Sequence, residues 1–519
     1  MKKYLINIFL FCLLITSNTV NAQKHPDNII ITGNLLNRTE ADSTVYLLFN
    51  PNLLSGNELL PTTKELICKS KNGRFRFVIP GLYKAVYITI GSRKRKEGIL
   101  NYGQGIEQGM FLDNFFACPG DNIFMNVDIV NGCIDFKGTG ASKYSFAFNS
   151  NKIKKQASDI FRYYEGLQLN EKLKIAALTD GQQFQSIALS NMVADSLYHL
   201  QLHLLSAIES KLRRNEFRWL RTDLLYSWYY EKLSNFYRPF AQEINNLTPS
   251  NCGSEPNKTI ISYYNTHFID QPKLLFQYTN SRELVKYLIL KSIVDSKLKN
   301  NPYEILKNKY TGALRDQLVA TYLIEDYGGQ YGNLQKELCI KDALSIVKSP
   351  PLLNLLKSTY DTNREGVTAY DFSLNDMNGK TMRLSDFKGK LVFIDFWFTG
   401  CGGCIDFYQN VLSKLEEHYK NDPRVVFVTI SPDKDSALWL NSVAKDIYTS
   451  PSLPNVINLH SLVGLLDPVF REYNITSMPR QMLIGGNGEI YSADNLRKSS
   501  DELVRIIDVA LRKRNDILN

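Results

Sequence analysis

The residues best suited to chemistry are two cysteines three positions apart, Cys401 and Cys404, with Gly402 and Gly403 between them. An almost wholly apolar run from Leu391 to Phe398 precedes them. Ile405, Tyr408, Val411, Leu412, Leu415 and Tyr419 recur after them at helical spacing. The pair therefore falls at a strand-to-helix junction. A helix start presents unpaired N–H groups and a partial positive charge, which stabilises a thiolate and lowers a thiol pKa. Cys401, first in the pair and expected at its exposed end, can attack a disulfide sulfur and form a mixed disulfide. Cys404, one helical turn on and less exposed, can resolve it. Two other chemistries use the same spacing. A zinc half-site needs two further ligands, but no second close cysteine pair exists outside the first 22 residues and the six histidines are scattered. A structural disulfide without turnover needs only an oxidising compartment.

The elements that must hold this pair form the last of three regions. From about residue 366 the pattern alternates strand and helix: the run at 391–398, the helix carrying the cysteines, and a second apolar run at 424–430. A hairpin around Gly485-Gly486-Asn487-Gly488 and a last helix opening at Ser499 with Glu502 as its capping box complete it. Strands apolar on both sides suit the centre of an α/β sheet. From about 142 to 350 the texture is helical. Leu197, Leu200, Leu204 and Leu205 fall on one stripe, and Pro350-Pro351 is expected to interrupt a helix near the region's end. From 23 to 141, short alternating runs (Phe75, Phe77, Ile79; Val86, Ile88, Ile90; Ile123, Met125, Val127, Ile129) read as half-buried antiparallel strands of a β-sandwich. The expected architecture is thus multidomain: an N-terminal β-sandwich, a central all-α region and a C-terminal α/β domain.

Residues 1–22 read as a secretory signal peptide: Lys2 and Lys3, an apolar stretch from Tyr4 to Ile15, and cleavage after Ala22. That stretch is shorter than the roughly 20 residues a membrane span needs, and bulky Phe11 before Cys12 argues against lipid attachment there. The chain carries a formal charge of +9, and +7 without the two leader lysines. The basic run Arg93-Lys94-Arg95-Lys96 reads as a solvated loop, with no nucleic-acid motif beside it. Cys68, Cys118, Cys133, Cys252 and Cys339 are widely spread and read as small buried hydrophobes. Asp195, His199 and His203 share a helix face, which reads as a solvated polar face rather than a metal stripe. No HExxH, P-loop or GxSxG pattern is present.

With those residues in view, the stretch from Val367 onward resembles the thioredoxin-like oxidoreductases of the TlpA and ResA type, which work in bacterial cell envelopes. The resemblance is carried by Phe372-Ser373-Leu374, Leu384-Ser385-Asp386-Phe387-Lys388-Gly389-Lys390, Phe393-Ile394-Asp395-Phe396-Trp397, the cysteine pair, Tyr473-Asn474-Ile475 and Met478-Pro479. The β-rich region ahead of it resembles the domain often fused before such thioredoxins. The resemblance implies a thioredoxin fold and thiol–disulfide exchange with protein substrates in the periplasm, as a reductant fed by a membrane electron donor. It implies no cofactor, metal or nucleic acid. It also implies roles. Pro479 matches the family's cis-proline beside the redox pair, with Met478 before it. Asp395 matches the buried acid that accepts the proton of Cys404, and Trp397 the motif tryptophan, forming surface around the pair. Gly400 and Gly403 depart from the pattern, which has a large residue before the first cysteine and proline before the second. A peroxidase of the peroxiredoxin type is disfavoured, because no proline precedes Thr399 in this stretch. The rival reading is a peptide- or protein-binding envelope protein on a redox-inert thioredoxin scaffold.

Overall fold

The computed structural model describes residues 27–518, apart from 39–43, 52–62, 82–84, 93–105, 107–108, 172–179, 246, 248–253, 269–280, 300, 326–332, 434, 476 and 494–495. The leader expectation with its cut after Ala22, Cys12, the basic run at 93–96 and Cys252 lie outside the described residues. No described helix is long and apolar enough to cross a membrane.

The N-terminal strands form two four-stranded sheets. One has the order β4 (Arg74–Ile79), β1 (Ile29–Leu36), β7 (Asn122–Asp128), β8 (Cys133–Thr139). The other runs β3 (Lys64–Lys69), β2 (Thr44–Phe49), β5 (Val86–Ser92), β6 (Met110–Ala117). Inward residues of both, among them Ile31, Phe77, Met125, Leu47 and Ile88, share one core. Two details differ from the alternation. First, β1 and β7 pair in parallel, not antiparallel. The chain between them builds the second sheet before returning, and that crossover is what parallel pairing requires. Second, β5 is buried along its whole length, not on one face. Its outward Tyr87 is covered by helices: its hydroxyl donates to Asp223 (2.6 Å) and accepts from Trp219 Nε1 (3.2 Å), while Phe116 of β6 stacks on Trp219.

A buried ionic cluster ties these strands to the helices. Lys143, in the helix Ala141–Glu171, reaches Asp121 Oδ1 (2.6 Å) and Glu216 Oε1 (2.5 Å). Arg213 adds contacts to the same two carboxylates, and Tyr144 and the Cys118 N–H bind the other Asp121 oxygen. Helices then continue to Asn363. Pro350 and Pro351 open the helix Pro350–Asn363 instead of interrupting one, because the missing N–H of proline is harmless in a first turn. Leu205 is buried, but Leu200 is 44 % exposed, so the expected leucine stripe is narrower than it reads. Asp195 accepts from Trp228 Nε1 (2.7 Å) and pairs with Lys232, while His199 and His203 face solvent.

The C-terminal region is a seven-stranded sheet in the order β10 (Thr381–Arg383), β9 (Ser373–Asp376), β13 (Val456–His460), β12 (Val425–Ser431), β11 (Leu391–Phe396), β14 (Arg480–Ile484), β15 (Ile490–Ser492). The two apolar runs are its adjacent, fully buried parallel strands β11 and β12. Alternate β11 side chains enter different cores: Leu391 and Phe393 meet Leu412, Leu415, Leu503 and Ile507, while Val392, Ile394 and Phe396 meet the opposite face. The last helix, Ser500–Leu518, has the expected cap, with Ser499 and Glu502 exchanging hydrogen bonds. Strand β13, mixed in polarity, was not legible as a strand.

Removing Lys143 takes away the buried cation that Asp121 and Glu216 share and leaves them only the half-exposed Arg213. Breaking a buried pair from one side costs about 3–5 kcal/mol. Lys143→Met is therefore expected to lower the urea midpoint of the N-terminal transition by a matching amount. A loss under about 1 kcal/mol, the scale of a surface pair, would show that the cluster does not join strands to helices.

Candidate functional site

The helix after β11 begins at Cys401. Cys401 is its N-cap, in extended conformation, and its sulfur accepts the Cys404 N–H at 3.1 Å. The two sulfurs are joined in a disulfide, with Cα atoms 5.2 Å apart. The helix runs on through a π-turn at Tyr408–Leu412 to His418, and Tyr408, Leu412, Leu415 and Tyr419 all pack on the sheet.

Cys401 is 5 % exposed and Cys404 2 %, so the expectation that Cys401 forms an exposed end is corrected: in the disulfide state both sulfurs are covered. The cover is thin on one side. Gly400, Gly402 and Gly403 are all exposed, and a Cβ added at Gly400 or Gly402 would meet nothing within 4 Å. Gly400 has φ +93°, a conformation that disfavours any side chain there. Cys401 Sγ lies 3.9 Å from the Met478 carbonyl oxygen. The Met478–Pro479 peptide is cis, and Pro479 Cδ would sit 3.4 Å from a Cβ built on Gly403. Residues 77 positions apart thus meet at the pair.

Trp397 is fully buried and stacks on Tyr448 with ring centroids 4.7 Å apart. It supports the pair from below and does not form surface around it. The reason is position: the residue after β11 still points into the core that holds Cys401, Cys404 and Trp439. Phe398, Ile405, Ile447 and Met478 are the half-buried apolar groups packed against that core among the described residues.

Asp395 is buried in mid-strand, in register with Thr429 and Gln481 on the neighbouring strands. By alternation it faces the side of Leu391 and Phe393, toward the helix carrying the cysteines. Burial pushes its carboxyl up to about 7, against the downward pull of the Gln481 Nε2 hydrogen bond (2.7 Å) and of Arg497. Three further buried groups escaped the motif reading. Gln481 was seen only as hairpin strand. Glu416, fully buried, has its carboxyl pushed well up by burial and then by the nearby Asp395 charge, against the downward pull of a backbone hydrogen bond from Ser450. Its only sequence trace is its place four residues after Leu412. Asp433, also fully buried, accepts from the Thr399 N–H (3.1 Å) and hydroxyl (2.6 Å). No group of three or more metal-ligating side chains occurs among the described residues.

A family model described as SCO1/SenC matches residues 361–450, a span that holds β11, the cysteines and Asp433. The chain is 29 % identical to the thiol-disulfide oxidoreductase ResA of Geobacillus kaustophilus over 30 % of this chain and 86 % of that protein. It is 29 % identical to ResA of Bacillus subtilis over 24 % of this chain and 64 % of that protein. With the thioredoxin-like protein YneN of Bacillus subtilis it shares 30 % identity over 24 % of this chain and 69 % of the relative. A solved thiol:disulfide interchange protein from Bacteroides is 26 % identical, covering 28 % of this chain and 89 % of that one, at a TM-score of 0.24. All cover under a third of this chain. In its C-terminal region, the chain belongs to the thioredoxin-like thiol–disulfide oxidoreductases of the ResA and TlpA kind.

Proposed function

We propose that this protein is an exported thiol–disulfide oxidoreductase that reduces disulfides of envelope proteins through Cys401 and Cys404. The observation that carries this reading is the sulfur of Cys401 at a helix N-cap, accepting a backbone N–H beneath an open collar of glycines. In the dithiol state the Cys401 thiolate attacks a partner S–S bond. That bond breaks, one partner sulfur leaves as thiolate and takes a proton from water, and a mixed disulfide forms. Cys404 then gives its proton to Asp395 and attacks the Cys401 sulfur. The second partner thiolate leaves, and the Cys401–Cys404 disulfide remains. A dithiol donor, reached through the membrane as the family resemblance implies, returns the pair to the reduced state. Pro479 and Met478 border the sulfur where a partner chain would lie, and Trp397 supports the pair from beneath. No cofactor enters this sequence of steps. The location follows from the leader reading: a signal peptide cleaved after Ala22 and work in the periplasm. The units follow the sequence texture, with a β-sandwich domain at 23–141, a helical region at 142–350 and the thioredoxin domain at 366–519.

Iodoacetamide labelling of the reduced full chain is the direct check. Fast alkylation of Cys401 near neutral pH with Cys404 lagging is expected. Equal and slow labelling favours the binding-protein alternative on an inert scaffold. Cys404→Ser should trap a partner as a mixed disulfide through Cys401, and a variant that captures nothing from its native envelope sinks the exchange mechanism.

Asp395 makes a separate prediction about stability. Its folded pKa lies about three units above that of an exposed carboxyl. Between pH 4 and 7 the unfolded chain has released this proton while the folded chain still binds it, so stability falls as pH rises through that window. The full penalty, present above pH 7, is on the order of 4 kcal/mol. Asp395→Asn should therefore raise the melting temperature at pH 8 and leave it nearly unchanged at pH 4, while slowing resolution of the mixed disulfide. An equal shift at both pH values would refute the assignment of a buried, proton-binding carboxyl.

A further inference from the structure

The loop before Cys401 lacks the bulky residue that would wedge it in place. Gly400 lies in the left-handed region with open space around it, and Gly402 begins the helix with none of the packing a side chain would add. Glycines in such positions leave the backbone free to move unless something outside the loop holds it. The holding groups come from the far side of β12. Asp433, just beyond that strand, takes both the N–H and the hydroxyl of Thr399 on one carboxylate oxygen, at 3.1 and 2.6 Å. The Thr399 hydroxyl also lies 2.8 Å from Ser442 Oγ. Tyr448, stacked on Trp397, accepts the Gly400 N–H at 2.8 Å. Asp433 is itself held: its N–H donates to Ser431 Oγ, and its carbonyl oxygen meets His460 Nδ1, whose ring stacks on Trp439. The carboxylate is fully buried, and its second oxygen has no hydrogen-bond partner among the described residues. A carboxylate this buried is expensive to accommodate, so its place beside the cysteine pair calls for a reason beyond packing.

We infer that Asp433, acting through Thr399, is a positioning residue that fixes the glycine loop so that Cys401 stays at the helix N-terminus, and that Tyr448 completes this clamp. It stands in for the wedge that Gly400 cannot supply. The inference rests on the exchange reading of the preceding subsection. The clamp has two separable physical parts. The hydrogen bonds hold geometry, and an amide oxygen could make them as well. The negative charge acts on the Cys401 thiolate, which it disfavours, and an amide would remove it.

The test uses the full chain, glutathione disulfide as the oxidising probe and iodoacetamide as the thiol probe. Asp433→Ala should slow reduction of glutathione disulfide about tenfold or more, as loss of positioning does when the reacting group stays in place, and should erase the preference of iodoacetamide for Cys401 over Cys404. Asp433→Asn should recover most of that rate and preference. It should also shift the equilibrium with the glutathione couple toward the dithiol by about tenfold, ~30 mV for a two-electron couple. Thr399→Val, which keeps the side-chain shape, should fall between, and it supplies the answer if Asp433→Ala does not fold. The clamp is overturned if Asp433→Ala or Thr399→Val only lowers the melting temperature while labelling preference and equilibrium match the parent. It is equally overturned if Asp433→Asn fails as badly as alanine. Inertness of the parent toward glutathione disulfide would instead count against the exchange reading itself, a result separate from any difference between parent and variants.

Discussion

A carboxyl group in the middle of an apolar strand is the constraint around which the C-terminal region is organised. β11 can be buried on both faces only if parallel β12 and antiparallel β14 cover its edges and helices cover its faces. That arrangement leaves Asp395 with no water, and its environment is built to tolerate it: Gln481, directly across the ladder, gives it one strong hydrogen bond. The helix above must start where the strand ends, which sets the first cysteine at the helix N-terminus and the second within the covered core. Asp395, Cys404 and Cys401 are thus placed by one strand and one turn.

The same burial explains why the redox pair is not a protruding feature. Trp397, Trp439 and Tyr448 pack in one core with the disulfide, with Phe398, Ile405, Ile447 and Met478 partly exposed against it and the exposed Gly400, Gly402 and Gly403 alongside. Three of the residues around Cys401, namely Gly400, Gly402 and Gly403, have no side chain. The cost is a loop without internal stiffness, and the hydrogen bonds from Thr399 and Gly400 to Asp433 and Tyr448 supply that stiffness from a neighbouring element.

Ahead of this region, two sheets and a long helical stretch are joined by polar contacts inside apolar surroundings: Lys143 between Asp121 and Glu216, and Tyr87 between Asp223 and Trp219. Buried groups of this kind add little net stability when complete, yet breaking them from one side is costly. They link the strand carrying Tyr87 and the turn at Asp121 to the helices carrying Lys143, Glu216, Trp219 and Asp223.

Much of the candidate site was legible along the chain. The cysteine spacing, the apolar strand before it, the helical period after it and the Met478-Pro479 step are local patterns, and local patterns survive in a linear reading. The β-hairpin and the Ser499 cap were legible for the same reason, since each is settled by a few adjacent residues. What stayed hidden depends on distant partners. The parallel pairing of β1 with β7, the double-sided burial of β5, the fate of Cys401 as a covered sulfur and the roles of Gln481, Glu416 and Asp433 all turn on residues tens of positions away. A carboxylate reads the same in a sequence whether it faces water or a tryptophan. By itself the sequence determined the chemistry available, two thiols at a helix start above an acid in a strand. Only the tertiary structure decided which groups are dry, because removal from water depends on every neighbouring element at once.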